Sequence, residues 1–147
     1  MHDYIIQLSP RPIGLHDFIS AENFEHDDIK DFAEYVSDTN ESGRAAALGE
    51  LERLVARIGH VNRADSFIQF SLANVIADFA EWTRMITSGS DGISPRQLSE
   101  ALKHYEGSRL MFWYLGAFIP SAFLLEDISR SYMPTALYIG GILDYKA

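Results

Sequence analysis

The residues best suited to proton transfer at neutral pH are five histidines: His2, His16, His26, His60 and His104. Imidazole is the one side chain whose unperturbed charge change falls between about pH 5 and 8. None of the five is spaced as H-x-x-x-H or H-E-x-x-H, the patterns that put two imidazoles on one metal ion. His2, His16 and His26 each precede an aspartate. Adjacent residues do not face each other on a helix, so no His–Asp dyad follows from this pairing. Glu100 and His104 are four positions apart and would share a helix face. Their plain role is a contact on a solvated surface. No G-x-S-x-G elbow raises a serine for nucleophilic attack, and Ser71 and Ser94 fit helix caps. No catalytic residue is assigned on these patterns.

Cofactor and metal signatures fare no better. The chain has no cysteine, which excludes disulfides, thiolate catalysis and sulfur-ligated zinc. Neither G-x-G-x-x-G nor G-x-x-x-x-G-K-[ST] occurs, and Gly140-Gly141 sits in an apolar run with no phosphate-binding context. The stretch from Phe79 to Tyr105 has the outline of a calcium-binding helix-loop-helix. With Gly92 at the turn, however, the ligand positions fall on Thr87, Gly89 and Leu98, leaving Asp91 as the single carboxylate. No cofactor and no metal site is expected. Asn40-Glu41-Ser42 matches a glycosylation sequon but is read as a chance match, because no signal peptide is recognisable at Met1-His2-Asp3-Tyr4.

The charge pattern is more informative. The net charge is −9, yet residues 1–41 hold ten acidic and two basic residues, a net of −8. Asp27, Asp31, Glu34 and Asp38 recur at i, i+4, i+7 and i+11, and Asp28 adjoins them. On one helix they would form an acidic stripe whose like charges oppose one another. Such a stripe either meets Arg44, Arg53, Arg57 or Arg63 of the next helix, or faces a basic partner. The same charge balance argues against direct nucleic-acid binding. The aromatic C-terminal segment could stack bases, but residues 110–147 carry only Arg130 and Lys146 as basic residues.

These residues need a scaffold, and the apolar spacing outlines one. Tyr4 to Leu8 reads as a strand closed by Pro10 and Pro12. Ile29, Phe32, Ala33 and Val36 predict a first helix starting at Asp27. Leu48, Leu51, Val55 and Ile58 predict a second over Ser42 to Ile58, with Gly59 as a left-handed stop. Ser66 to Phe70 reads as a short strand. Ser71 then caps a helix running to Ile86, and Ser94-Pro95-Arg96-Gln97 opens another that ends before Gly107. Arg109–Leu115, Ala122–Ile128 and Thr135–Tyr145 predict a three-stranded meander, with Gly140-Gly141 marking a bulge or a close backbone approach. The expected class is α+β, a single domain of about four helices on a small, mostly antiparallel sheet.

The longest uncharged span, Leu110 to Leu125, is too short and too interrupted for a membrane helix. No membrane role is expected and the location is read as cytoplasmic. Two functions fit. The first is a non-enzymatic, acidic protein-binding module that docks Asp27, Asp28, Asp31, Glu34 and Asp38 on a basic protein. An inhibitor of a nucleic-acid-handling protein, of the immunity or phage and mobile-element anti-defence type, is one form of it. The second is a small enzyme or small-molecule-binding domain with a pocket where the aromatic sheet meets the helices, near Trp113, Tyr114, Tyr138 and Gly140-Gly141. The aromatic segment could also hold a homo-oligomer together.

Overall fold

Ala136–Lys146, eleven residues of mostly branched and aromatic side chains, forms the longest strand and sits inside the sheet. It belongs to a computed structural model that describes residues 3–71, 73–75, 77, 80, 84, 109–121 and 136–147. In chain order the described strands are β1 (Asp3–Ser9), β2 (Tyr35–Asp38), β3 (Gly59–Asn62), β4 (Phe67–Phe70), β5 (Met111–Tyr114), β6 (Ala117–Pro120) and β7 (Ala136–Lys146). The helices with described bounds are α1 (His26–Ile29) and α2 (Glu41–Val55), with 3-10 turns at Leu15–Asp17 and Ala21–Asn23. The class is α+β, as the sequence predicts, but the described strands form one sheet of seven, six in the order β3-β4-β7-β1-β5-β6 and β2 paired with β7 off that path. One edge of β7 is lined by β1, while β4 and β2 share the other.

Two faces of this sheet are covered. On one, Tyr4, Ile6, Leu8, Phe112, Leu137 and Ile139 pack under α2, which contributes Ala47, Leu51, Leu54 and Val55. On the other, Ile5, Leu143 and Tyr145 pack under the segment from Ile19 to Ala33. Period-two alternation explains the split along β1, where even positions face α2 and odd positions face the cover. Along β7 the phase changes midway. Ile6 pairs with Ile142 but Leu8 pairs with Ile139, so Gly140 and Gly141 together oppose Gln7. That is the β-bulge expected from the glycine pair, and it moves every later side chain of β7 to the opposite face.

The bulge needs glycine because the loop after β1 crosses it. A Cβ on Gly141 would lie 2.5 Å from the Ile19 carbonyl oxygen and 2.9 Å from its nitrogen. Gln7 bolts the crossing in place. Its Oε1 accepts from the amides of Ile19 and Gly141, each at 2.9 Å, and its Nε2 donates to the Asp17 carbonyl at 2.9 Å. Between β4 and β2, the carbonyl of Gly140 is met by Arg44 of α2, whose Nη1 donates at 2.7 Å.

Several expectations need correction. The first helix does not run from Asp27 to Asp38; it closes after one turn at Ile29 and the chain becomes β2, antiparallel to β7. Tyr35, Val36 and Thr39 favour extended backbone, and the like-charged i,i+4 acids oppose a helix there. The C-terminal meander does not form either. β5 pairs parallel with β1 and antiparallel with β6, whereas β7 lies on the far side of β1. A strand buried on both faces takes an interior place, and β7 is buried at seven of its eleven positions. Gly59 is not a left-handed stop; it lies in β3, where a side chain would strike the Gln69 carbonyl.

α2 and β1 match their predicted ranges closely. Asn40 caps α2 by accepting from the Gly43 amide at 2.8 Å, which gives the sequon asparagine a structural role. Between Ser71 and Arg84 the described positions are helical, and the Ser71 Oγ accepts from the Asn74 amide at 3.4 Å. The helix expected from Ser94, the Glu100/His104 pair, the Asp91 loop and the strand at 122–128 lie outside the described residues.

Candidate partner-binding surface

The cover over the second face is where the acids went. Residues 15–34 carry seven carboxylates and one lysine, and all seven carboxylates are exposed. Turns and a single helical turn suit this segment, because it buries Ile29 and Ala33 and half-buries Phe24 and Phe32 at irregular intervals while turning its polar side chains outward. The five acids singled out from spacing all lie at the surface, but they come from three kinds of backbone rather than one helix face.

Two of the five have structural work. Asp28 Oδ2 accepts from the Glu25 amide at 2.7 Å, closing a capping box on α1. Asp38 Oδ1 accepts from the Ala21 amide at 2.8 Å and so ties β2 to the cover. Asp27 faces Lys30 at 3.6 Å, an exposed i,i+3 pair of small energetic weight. Asp31 and Glu34 have no side-chain partner among the described residues. Two of the four arginines that could have neutralised the stripe, Arg63 and Arg44, are engaged elsewhere. Arg63 holds Glu52, and that contact lowers the Glu52 pKa. Arg44 lies over the Phe18 ring at 5.7 Å while holding Gly140, and desolvation lowers its pKa.

Beneath the acids runs a chain of rings. Trp113 and Phe118 of the β5–β6 hairpin lie 4.7 Å apart, and Phe24 of the cover meets them at 5.0 and 5.1 Å. Phe32 continues from Phe118 at 4.9 Å to Tyr145 at 5.5 Å. Such pairs contribute roughly 0.5–1.5 kcal/mol each beyond area burial. At the chain's inner end Tyr145 donates to the Arg109 carbonyl at 2.6 Å, and Asp3, nearly buried, faces Arg109 at 3.7 Å. Burial, followed by the nearby Asp3 charge, pushes the Tyr145 hydroxyl up to about 12.

At the outer end the rings open onto a cleft of about 520 Å³ between the hairpin and the cover. Among the described residues its walls are Phe24, Trp113 and Phe118, with Asn23 and Asp28 at the rim and Gly116 and Ala117 from the hairpin. Of the pocket positions expected from sequence, Trp113 alone is here. Tyr114 points to the opposite core, Tyr138 packs on Phe67, and the glycine pair lies under Ile13 and Ile19. A second, more polar cleft of about 410 Å³ lies at the start of α2, between Asp38, Asp144 and Tyr4. Burial first, then the Asp144 and Glu50 charges, raises the Tyr4 pKa.

Sequence reasoning missed Phe24 and Leu115. Phe24 lies in a stretch of no fixed period and gave no signal. Leu115-Gly116 did give one: a glycine splits two aromatic runs at the spacing of a two-residue hairpin. Both residues have positive φ, 51° and 77°, and Leu115 is 73% exposed.

Among the described residues no group of three or more histidines and carboxylates converges on one point, and no helix is long and apolar enough to cross a membrane. No family model, no curated protein and no solved structure matches the chain.

Proposed function

We propose that the chain is a non-enzymatic protein-binding module whose acidic cover docks on a basic protein. The observation that carries this reading is the cover itself: seven exposed carboxylates against a single lysine, lying over a well-packed aromatic layer. Concentrated charge of one sign on a fixed scaffold speeds encounter with an oppositely charged surface and disfavours other partners. A protein that handles nucleic acid presents such a surface, and carboxylates of the cover would occupy positions where it expects phosphates. Inhibition of that protein, in the manner of an immunity or anti-defence protein, is the form this takes.

Asp27, Asp28, Asp31, Glu34 and Asp38 carry the docking charge. Asp28 and Asp38 also hold backbone amides, so alanine would disturb the cover, whereas amides keep an acceptor and remove only charge. Affinity capture from the native host with the chain and with its Asp27→Asn, Asp28→Asn, Asp31→Asn, Glu34→Gln, Asp38→Asn variant tests the reading. A basic protein retained by the first and lost by the second is expected; equal retention on both would refute it.

The alternative, a small enzyme or small-molecule-binding domain, draws support from the cleft of about 520 Å³ beside Trp113. That volume lies within the usual range for ligand pockets, roughly 300–1,000 Å³. A thermal-shift screen with metabolites and nucleotides separates the two, because a ligand that stabilises chain and variant alike belongs to this second reading.

A further inference from the structure

We infer that the cleft between Phe24, Trp113 and Phe118 receives an arginine side chain of the basic partner, with Asp28 as its counter-ion and Leu115 as an apolar contact at its rim. The inference rests on the acidic-docking reading above and gives it an anchor point.

Three observations converge there. The cleft has aromatic walls that stay partly exposed, and its rim carries a carboxylate. Ring faces attract cations, and a guanidinium stacks on them while donating in its own plane to a carboxylate beside it. Lysine offers no such plane, and an anion would meet Asp28. Secondly, Asp28 is oriented for this use: one oxygen is fixed by the Glu25 amide at 2.7 Å, and its other oxygen has no partner among the described residues. The surrounding carboxylates raise the local concentration of cations at the mouth.

The third observation comes from the hairpin. Leu115 is held at φ 51° and is 73% exposed, next to Gly116 and Ala117 of the cleft wall. A leucine in the left-handed region carries backbone strain, and its exposure gains nothing from burial. Asparagine would relieve both costs at this turn. A residue kept against two local preferences is explained by what it touches outside the fold.

The test uses the full ¹⁵N-labelled chain, whose two tryptophans, Trp82 and Trp113, give two indole N–H resonances. The probes are a blocked glycine–arginine repeat peptide, the same peptide with each arginine replaced by neutral citrulline, and tetramethylammonium. The arginine peptide is expected to shift the Trp113 indole resonance to saturation, and the citrulline peptide to leave it in place. Asp28→Asn, which keeps the cap acceptor, should weaken binding about fivefold or more, and Leu115→Asn about threefold. Asp65→Asn removes a charge from the β3–β4 turn, at the opposite end of the strand order, and should change it less than about twofold.

Binding of the arginine peptide with Trp113 unmoved, and with Asp28→Asn no worse than Asp65→Asn, overturns the cleft assignment while leaving the acidic docking surface standing. Tetramethylammonium or the citrulline peptide binding as tightly as the arginine peptide overturns it in favour of a small-molecule pocket. Absence of binding by any cationic probe removes both the anchor and the docking surface.

Discussion

Leu115 separates what the fold wants from what a surface does. With positive φ at both Leu115 and Gly116, the β5–β6 turn has the backbone signs of a type I′ hairpin, for which Asn-Gly is the favoured pair. Leu115→Asn should therefore raise folding stability by about 1 kcal/mol, read as a higher urea midpoint with an unchanged slope. An unchanged or lower midpoint would mean that Leu115 packs on something the turn needs. Tyr145 gives a pH-dependent counterpart. Its hydroxyl has an ordinary pKa of 10.0 and is raised to about 12 in the fold. Between those values the folded chain keeps a proton that the unfolded chain has lost, so stability is complete below about pH 10 and falls as pH rises toward 12. Tyr4 shifts in the same direction and adds to the loss. Tyr145→Phe should cost about 1 kcal/mol at neutral pH, through the lost bond to Arg109, and should narrow the drop in urea midpoint between about pH 7 and pH 11. A drop as large as that of the parent chain would remove Tyr145 from the explanation.

At the scale of elements, legibility followed periodicity. α2 has a clean apolar stripe and a side-chain cap, and β1 is a short branched run ended by prolines; both stand where the spacing puts them. The acidic segment misled because Ile29, Phe32, Ala33 and Val36 fit a helix by position. In the fold these residues do face one core, but from one helical turn, a loop and a strand in succession. A helix pattern of four residues cannot be told from an irregular cover when the receiving surface is unknown. The glycine pair was legible as a bulge, although its reason was not, since the strand it opposes and the loop over it come from the first twenty residues. Gly141→Ala brings a methyl group against the Ile19 backbone, which cannot turn aside as a side chain would. It should cost about 1–3 kcal/mol and loosen the cover, seen as faster amide exchange at Ile19 and Ala21 than in the parent chain. Full exchange protection at those amides would show that the loop tolerates displacement.

Across the whole molecule, the sheet order could not be read from the chain. Local runs showed that strands exist, but the places of β5 and β7 on either side of β1 depend on contacts more than a hundred residues apart. The candidate site was half legible for the same reason. Its charges were visible in the count of residues 1–41, whereas the cleft beneath them is made by joining Phe24 to Trp113 and Phe118. The resulting molecule carries −6 of its net charge of −9 on one cover, seven carboxylates against one lysine, over one face of a sheet whose other face is closed by α2. A docking surface of this kind is governed by field strength, and added salt screens it. The most direct measurement is the association constant of the chain with the captured basic protein, followed by calorimetry from about 50 to about 300 mM salt. The prediction is a loss of about tenfold or more across that range, with the five-amide variant binding weakly and with a nearly flat salt response. Equal affinity at both salt concentrations, or a variant that binds as tightly as the parent chain, would contradict docking through the acidic cover.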